Sequence, residues 1–221
     1  MIDKMLSVIA PHQCCGCRKI GTILCSNCKY DIVSDQRSVC VVCQRLCGQS
    51  GICSTCRVPY QRAWHVGVRA GTLQRLVGLF KFERVKSAHK QLGDLLLATL
   101  PDLPAETIVV PVPTTPSHIR ERGYDHMLLI AKYVAKKRGL SLSRVLRRST
   151  DTKQRQSTAK QREAQAKSAF HVTKRLEGDK SYLLIDDIMT TGVTVKYAAR
   201  ALKNAGARHI WLAIIGRQTL D

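Results

Sequence analysis

The sequence predicts an α/β protein, a parallel sheet flanked by helices, with a small zinc-binding domain ahead of it. Three observations point there. All ten cysteines fall between positions 14 and 56. From about residue 62 the cysteines stop, and strand-like and helix-like segments alternate, the pattern of parallel sheets. Late in the chain an apolar strand runs into two adjacent acids and a Thr/Gly turn that opens an amphipathic helix. These boundaries divide the 221 residues into a zinc-binding domain over 1–60 and an α/β domain over 61–221.

Eight of the cysteines form four C-x2-C pairs: Cys14/Cys17, Cys25/Cys28, Cys40/Cys43 and Cys53/Cys56. Two thiolates three positions apart on a tight knuckle can take adjacent corners of a tetrahedron, and a second pair completes a structural Zn2+ site. Four pairs imply two zincs. Only seven residues separate Cys17 from Cys25 and nine separate Cys43 from Cys53, so neighbouring pairs most simply close one site each. Joining the first pair to the third is the other arrangement that the spacing allows. Disulfides suit oxidising compartments and iron-sulfur clusters also accept four thiolates, but paired quartets favour zinc ribbons or knuckles. Closed four-cysteine sites keep no open coordination position, so the metal would fold the segment rather than catalyse. Cys15 and Cys47 fall outside the pairs and read as packed thiols or stand-in ligands, and His12 and His65 as non-ligands.

In the second domain, 62–70 alternates like a strand and ends at Gly71. Residues 71–83 and 87–100 carry apolar side chains at helical spacing. The run 106–113 is β-branched and closed by prolines, suiting a strand buried on both faces of a parallel sheet. An amphipathic helix spans 125–139, with Met127, Ile130, Ala131 and Val134 on one face and Gly139 as its stop. The stretch from Arg144 to Lys167 is polar and basic and reads as a loop or an exposed helix. A strand is expected from Tyr182 to Ile185, ending at Asp186 and Asp187, and another at 209–217.

Ligands of parallel α/β sheets sit at the carboxyl ends of the strands, which makes Asp186 and Asp187 functional candidates. The turn Thr190, Thr191, Gly192, Val193, Thr194 can wrap a phosphate at the positive end of the helix that follows. Adjacent carboxylates beside an anion cradle make sense if one ligand offers both phosphate and hydroxyls, as a ribose 5-phosphate does.

Charge and composition narrow the partners. Lys and Arg number 36 against 16 Asp and Glu, net +20. Residues 111–180 hold 17 basic and 6 acidic side chains, net +11. That excess suggests a polyanion or an anionic substrate. Arg147, Arg148, Lys153, Arg155, Lys160, Arg162 and Lys167 are the candidates for phosphate-backbone contacts. With only 5% aromatic residues, base-specific readout is disfavoured. No apolar run approaches the ~20 residues of a membrane span, and no export signal is visible, so the expected location is cytoplasmic.

The segment "LLIDDIMTTGVT" (183–194) resembles the signature of type I phosphoribosyltransferases, and "VPVPTTPSHIRERGYDH" (110–126) resembles the corresponding segment of the ComF/GntX family of competence and DNA-utilisation proteins. The four C-x2-C pairs match that family's zinc-ribbon start. The resemblance implies a cytoplasmic protein with a phosphoribosyltransferase-like domain, handling single-stranded DNA in natural transformation, with other competence proteins as partners. It implies that Asp186 and Asp187 meet the ribose hydroxyls of phosphoribosyl pyrophosphate (PRPP), bound with Mg2+, and that Thr190 to Thr194 hold its 5-phosphate. Arg120 and Arg122 would meet the pyrophosphate. The chain departs from the family pattern at Tyr124, Asp125 and His126, where Phe-Asn-Gln is usual, and at Gln165 and Ser168. Thr190 stands where purine-salvage members carry an acid, which disfavours transfer to a purine. A working PRPP-dependent transferase on an unidentified acceptor is the alternative function.

Overall fold

The computed structural model describes residues 12–34, 38–148 and 169–219. After a first cysteine knuckle comes α1 (Ser26–Ser34), then a second knuckle and β1 (Arg62–Val68). Two helices follow, α2 (Gly71–Lys81) and α3 (Ala88–Thr99), then β2 (Ile108–Pro111), α4 (Pro116–Arg122) and α5 (His126–Arg138). The chain continues through β3 (Ser141–Leu142), β4 (Leu146–Arg148) and β5 (Phe170–Val172) to β6 (Ser181–Met189), α6 (Val193–Asn204) and β7 (His209–Arg217).

Five strands form one parallel sheet in the order β1-β7-β6-β2-β3. The central strands are apolar on both faces, as burial on both sides requires. Leu183, Ile185, Ala213 and Ile215 face the layer of α2, α3 and α5. Tyr182, Leu184, Leu212 and Ile214 face α6 and the small antiparallel pair β4-β5. Two helix starts carry side-chain caps: Thr115 accepts from the His118 N–H with Pro116 in the first turn of α4, and Asp125 accepts from the Leu128 N–H at α5. Gly123 and Gly139 close α4 and α5 in the left-handed conformation.

The long elements form where sequence periodicity puts them, and two expectations need correction. β6 does not end at Ile185. It stays paired with β7 through Met189↔Arg217, while its pairing with β2 stops at Pro111↔Ile185, where the Val112 N–H makes the last bond, to Ile185 O. The polar stretch beginning at Arg144 includes a strand, β4, paired with β5. From Thr150 to Lys167 it lies outside the described residues.

The two knuckles share one wiring. In the first, the Cys14 N–H bonds to Lys19 O and the Arg18 N–H to Cys14 O; in the second, Cys40 pairs with Arg45 O and Gln44 with Cys40 O. Arg18 and Gln44 take matching left-handed backbone angles, φ 65° and 64°. The knuckles lie on opposite faces of the sheet. Cys14, Ile23, Leu24, Cys25 and Cys28 pack with α2 and α3, whereas Val41 and Tyr60 pack with the α6 layer. Between them, the Ala63 N–H on edge strand β1 donates to Ser50 O at 2.8 Å. Gly51, at φ 67°, lies so close that any Cβ would strike the Ala63 carbonyl.

Arg217, the last residue of β7, is buried and ties the second knuckle to the sheet, donating through Nε to Val41 O (2.6 Å) and through Nη2 to Val42 O (3.3 Å). Replacing it leaves knuckle carbonyls unpaired, a loss of about 1–3 kcal/mol. Arg217→Ala is therefore expected to lower the urea midpoint and to speed amide exchange over 38–56 while leaving 12–34 protected. Equal protection in both knuckles would remove this role for Arg217.

Candidate functional site

Where β2 stops short, β6 projects Asp186 and Asp187 into a cavity of about 190 Å3 at the carboxyl end of the sheet. Its walls include Thr114 and Thr115 after β2, His118 and Arg122 on α4, His126 on α5, Lys81 on α2, Arg148 on β4 and Thr194 on α6. Both acids are buried, at 7% and 8% exposure.

Successive strand residues point to opposite faces, so the two acids meet different surroundings. Asp187 faces the layer of α2 and α5. Its Oδ2 receives Lys81 Nζ at 2.7 Å and His126 Nε2 at 2.5 Å. Arg122 Nη1 lies 2.8 Å from His126 Nδ1. An arginine can only donate, so Nδ1 is the acceptor and the ring proton sits on Nε2, aimed at Asp187. Burial by itself would push the Asp187 carboxyl up, but the His126 hydrogen bond and the Lys81 charge outweigh it and hold the group well below the usual carboxylate range. Asp186 is shifted the other way. Burial, then the neighbouring Asp187 charge, raise it, against the Asp187 N–H donated to its Oδ1 at 3.0 Å and the charges of Lys81 and Arg148.

The turn after β6 leaves Thr190, Thr191, Val193 and Thr194 exposed at the start of α6. The first N–H groups of a helix have no intrahelical partner and point outward, and the helix dipole is positive there. Gly192 is the N-cap at φ 74°, and a Cβ on it would stand 2.8 Å from Met189 Cε. Glycine takes that left-handed conformation without strain.

Of the two arginines expected at a pyrophosphate, Arg122 lines the cavity, while Arg120 faces solvent on the same helix. Arg148 borders the cavity with its guanidinium 5.6 Å from the Phe170 ring, and Arg147 is exposed beside it. The other backbone-contact candidates, Lys153, Arg155, Lys160, Arg162 and Lys167, lie outside the described residues. Tyr124 is packed, stacked on Phe80 at 5.3 Å with its hydroxyl donating to Phe80 O. Sequence reasoning missed Lys81, Thr114 and His118. Lys81 ends an apolar helix and carries no motif, and only the tertiary fold brings it to residue 187.

Two four-thiol groups complete the inventory: Cys14, Cys17, Cys25 and Cys28, and Cys40, Cys43, Cys53 and Cys56. Neighbouring pairs close each group, so the crossed arrangement is not formed. Within each group all four sulfurs lie within 4.8 Å of one another, with Cys17–Cys25 at 3.6 Å and Cys43–Cys53 at 3.5 Å. A tetrahedron with Zn–S near 2.3 Å has edges of about 3.8 Å, so the donor set is compatible with a structural zinc. Burial and then hydrogen bonding among the neighbouring sulfurs push Cys28 and Cys56 up to about 12. Cys15 and Cys47 belong to neither group.

Comparison with known proteins finds similarity to a phosphoribosyl transferase domain and to competence proteins. The phosphoribosyl transferase domain family matches residues 128–218. Competence protein ComFC of Bacillus subtilis (strain 168) is 23% identical over 202 residues, covering 83% of this chain and 79% of that protein. DNA utilization protein YhgH of Salmonella typhi is 28% identical over 213 residues, 83% of this chain and 92% of the relative. The chain is thus similar to competence and DNA-utilisation proteins over most of its length, and its second half matches a phosphoribosyl transferase domain. Competence protein F of Haemophilus influenzae, 26% identical, shows the same reach, over 84% of this chain and 93% of its own. Among solved structures, glutamine PRPP amidotransferase from B. subtilis aligns at a TM-score of 0.42 and 20% identity. That alignment covers 58% of this chain, which spans about a quarter (26%) of the enzyme's length.

The two acids are expected to respond oppositely to neutralisation. Asp186, with its raised pKa, contributes stability below the ordinary carboxylate range and loses it as pH rises through the folded value. Asp186→Asn, which keeps an acceptor for the Asp187 N–H, should thus raise the melting temperature at pH 8–9, with the gain fading towards pH 4. Asp187, with its depressed pKa, contributes stability above the ordinary range, so Asp187→Asn should lower the melting temperature at neutral pH by leaving Lys81 unpaired. Melting curves across pH test both signs. For the metal groups, Cys17→Ser and Cys43→Ser should each reduce bound zinc by one ion per chain in elemental analysis.

Proposed function

We propose that the cavity binds the ribose 5-phosphate part of PRPP with Mg2+, and that the protein is a competence factor which handles single-stranded DNA in the cytoplasm. The carrying observation is the meeting of Asp186, Asp187 and the α6 N-terminus around one cavity rimmed by Lys81, Arg122 and Arg148. The acids suit the ribose hydroxyls, and the Thr190–Thr194 turn suits the 5-phosphate. Lys81 and Arg122 suit the pyrophosphate oxygens. Mg2+ usually takes substrate phosphates and waters with one or two carboxylates, a role that Asp186 and Asp187 can share. PRPP entry would draw Lys81 and His126 off Asp187 towards the new anion. Two zincs in the four-thiol groups would hold the knuckles in place, and the DNA role rests on the relatives' names together with the +20 charge.

The second reading, catalysis of phosphoribosyl transfer, draws on the same rim of cations. Lys81, Arg122 and Arg148 would stabilise departing pyrophosphate, and Asp187 would steady positive charge developing on the ribose. The cavity is smaller than the roughly 300–1,000 Å3 usual for ligand pockets, so an acceptor needs the rim to open. Binding without rapid turnover is the reading favoured here.

Calorimetric titration of zinc-loaded protein with Mg-PRPP decides between outcomes. Binding to wild type that is lost in the Asp186→Asn, Asp187→Asn double variant supports the pocket, and no binding to wild type sinks it. Lys81→Met is expected to weaken PRPP by about tenfold or more, the ~1.4 kcal/mol or greater value of a charge-assisted contact. Pyrophosphate release that survives the double Asn variant would place any transferase chemistry elsewhere.

A further inference from the structure

We infer a second anion-binding site, a groove between the second knuckle and the carboxyl end of α6 that takes the phosphodiester backbone of a single nucleic-acid strand. It rests on the reading above that the protein binds single strands, and assigns that partner to residues outside the PRPP pocket and outside the basic 147–167 stretch.

The groove has a volume of about 650 Å3, more than three times that of the acid-pair cavity. Its cations come from two distant parts of the chain, Arg57 from the knuckle and Arg200 and Lys203 from α6, all exposed. None of its lining residues is Asp or Glu. Gln61 and Asn204 add neutral polar groups. Lys174 and Arg175 stand at the same end of α6, because the adjoining Leu176 N–H donates to Ala205 O at 2.8 Å. Arg200 and Lys203 also complement the carbonyls at the end of α6. Arg57 belongs to the knuckle rather than to a helix end.

The opposing charge is the metal centre itself. With zinc bound, four thiolates carry two net negative charges, and Cys53 and Cys56 line the groove. Two other arginines already face that centre. Arg45 donates to Thr55 Oγ1 at 2.9 Å, and Arg217 donates to Val41 O and Val42 O in the same knuckle. Arg57, Arg200 and Lys203 face the groove.

No aromatic ring is exposed there, since Tyr60 and Tyr197 are buried and Arg200 covers the Tyr197 ring at 5.3 Å. Contacts should therefore be to phosphates rather than bases, insensitive to sequence and sensitive to salt. The groove is also separate from the PRPP pocket. α6 has 12 residues, so at 1.5 Å per residue its two ends are about 18 Å apart, one at each site.

The test is fluorescence anisotropy of a labelled oligothymidylate with full-length, zinc-loaded protein over a salt series. Three proteins are compared with wild type: Arg57→Gln/Arg200→Gln/Lys203→Gln in the groove, Lys90→Gln/Lys132→Gln/Lys136→Gln on the opposite layer, and the Asp186→Asn/Asp187→Asn pocket variant. Zinc content and melting temperature report on folding, and Arg57→Gln alone serves if the triple variant folds poorly. The groove variant should bind at least about tenfold more weakly at low salt, with its log-log slope reduced by about 2, at roughly 0.7 per lost phosphate contact. The opposite-layer and pocket variants should keep slopes near wild type. Wild-type slope in the groove variant, or equal loss in the opposite-layer variant, overturns the groove while single-strand binding stands. Absence of binding by wild type overturns both.

Discussion

The site depends on a mismatch in strand length. β6 and β7 remain paired for four residues beyond Ile185, where the pairing of β6 with β2 ends, and the gap so opened gives two carboxylates room inside a doubly buried strand. Had β2 continued, Asp186 and Asp187 would face an apolar neighbour with no room for a ligand. The early end of β2 therefore shapes the pocket as directly as the acids do. Beyond it the chain leads into α4, which returns Arg122 to the cavity.

Alternation along β6 then separates two chemically identical groups. Asp187 reaches Lys81 and His126 and is held charged; Asp186 lies against fewer donors and resists ionisation. An acid pair split in this way has one fixed anion and one group that a cation or a hydroxyl-bearing ligand can recruit. The Lys81–Asp187–His126–Arg122 chain joins three helices to one strand, so the pocket and the packing of the α2, α4 and α5 layer are one structure.

Much of this was legible in the sequence. Segments with sustained periodicity, such as 125–139, or with long apolar runs, such as 209–217, form as their patterns require, and the short gaps between cysteine pairs matched neighbour to neighbour. Strands of two or three residues, β3 to β5, have no period to detect. The end of β6 was misplaced because paired acids read as a strand terminator; pairing with β7 and the bonds to Lys81 and His126 override that preference. Lys81 could not be found because its meeting with residues 126 and 187 is purely tertiary. Arg57 and Arg200, far apart in the chain, share a groove for the same reason.

The placement of the knuckles bears on solubility. β1 is an edge strand, and the Ser50–Gly51 segment of the second knuckle lies along its outer side, accepting from the Ala63 N–H. An uncovered edge offers unpaired backbone groups to any other strand. The knuckle thus also acts as a shield against intermolecular sheet growth. A metal held by its four thiols, by fixing that segment, would bear on the tendency of the whole chain to aggregate.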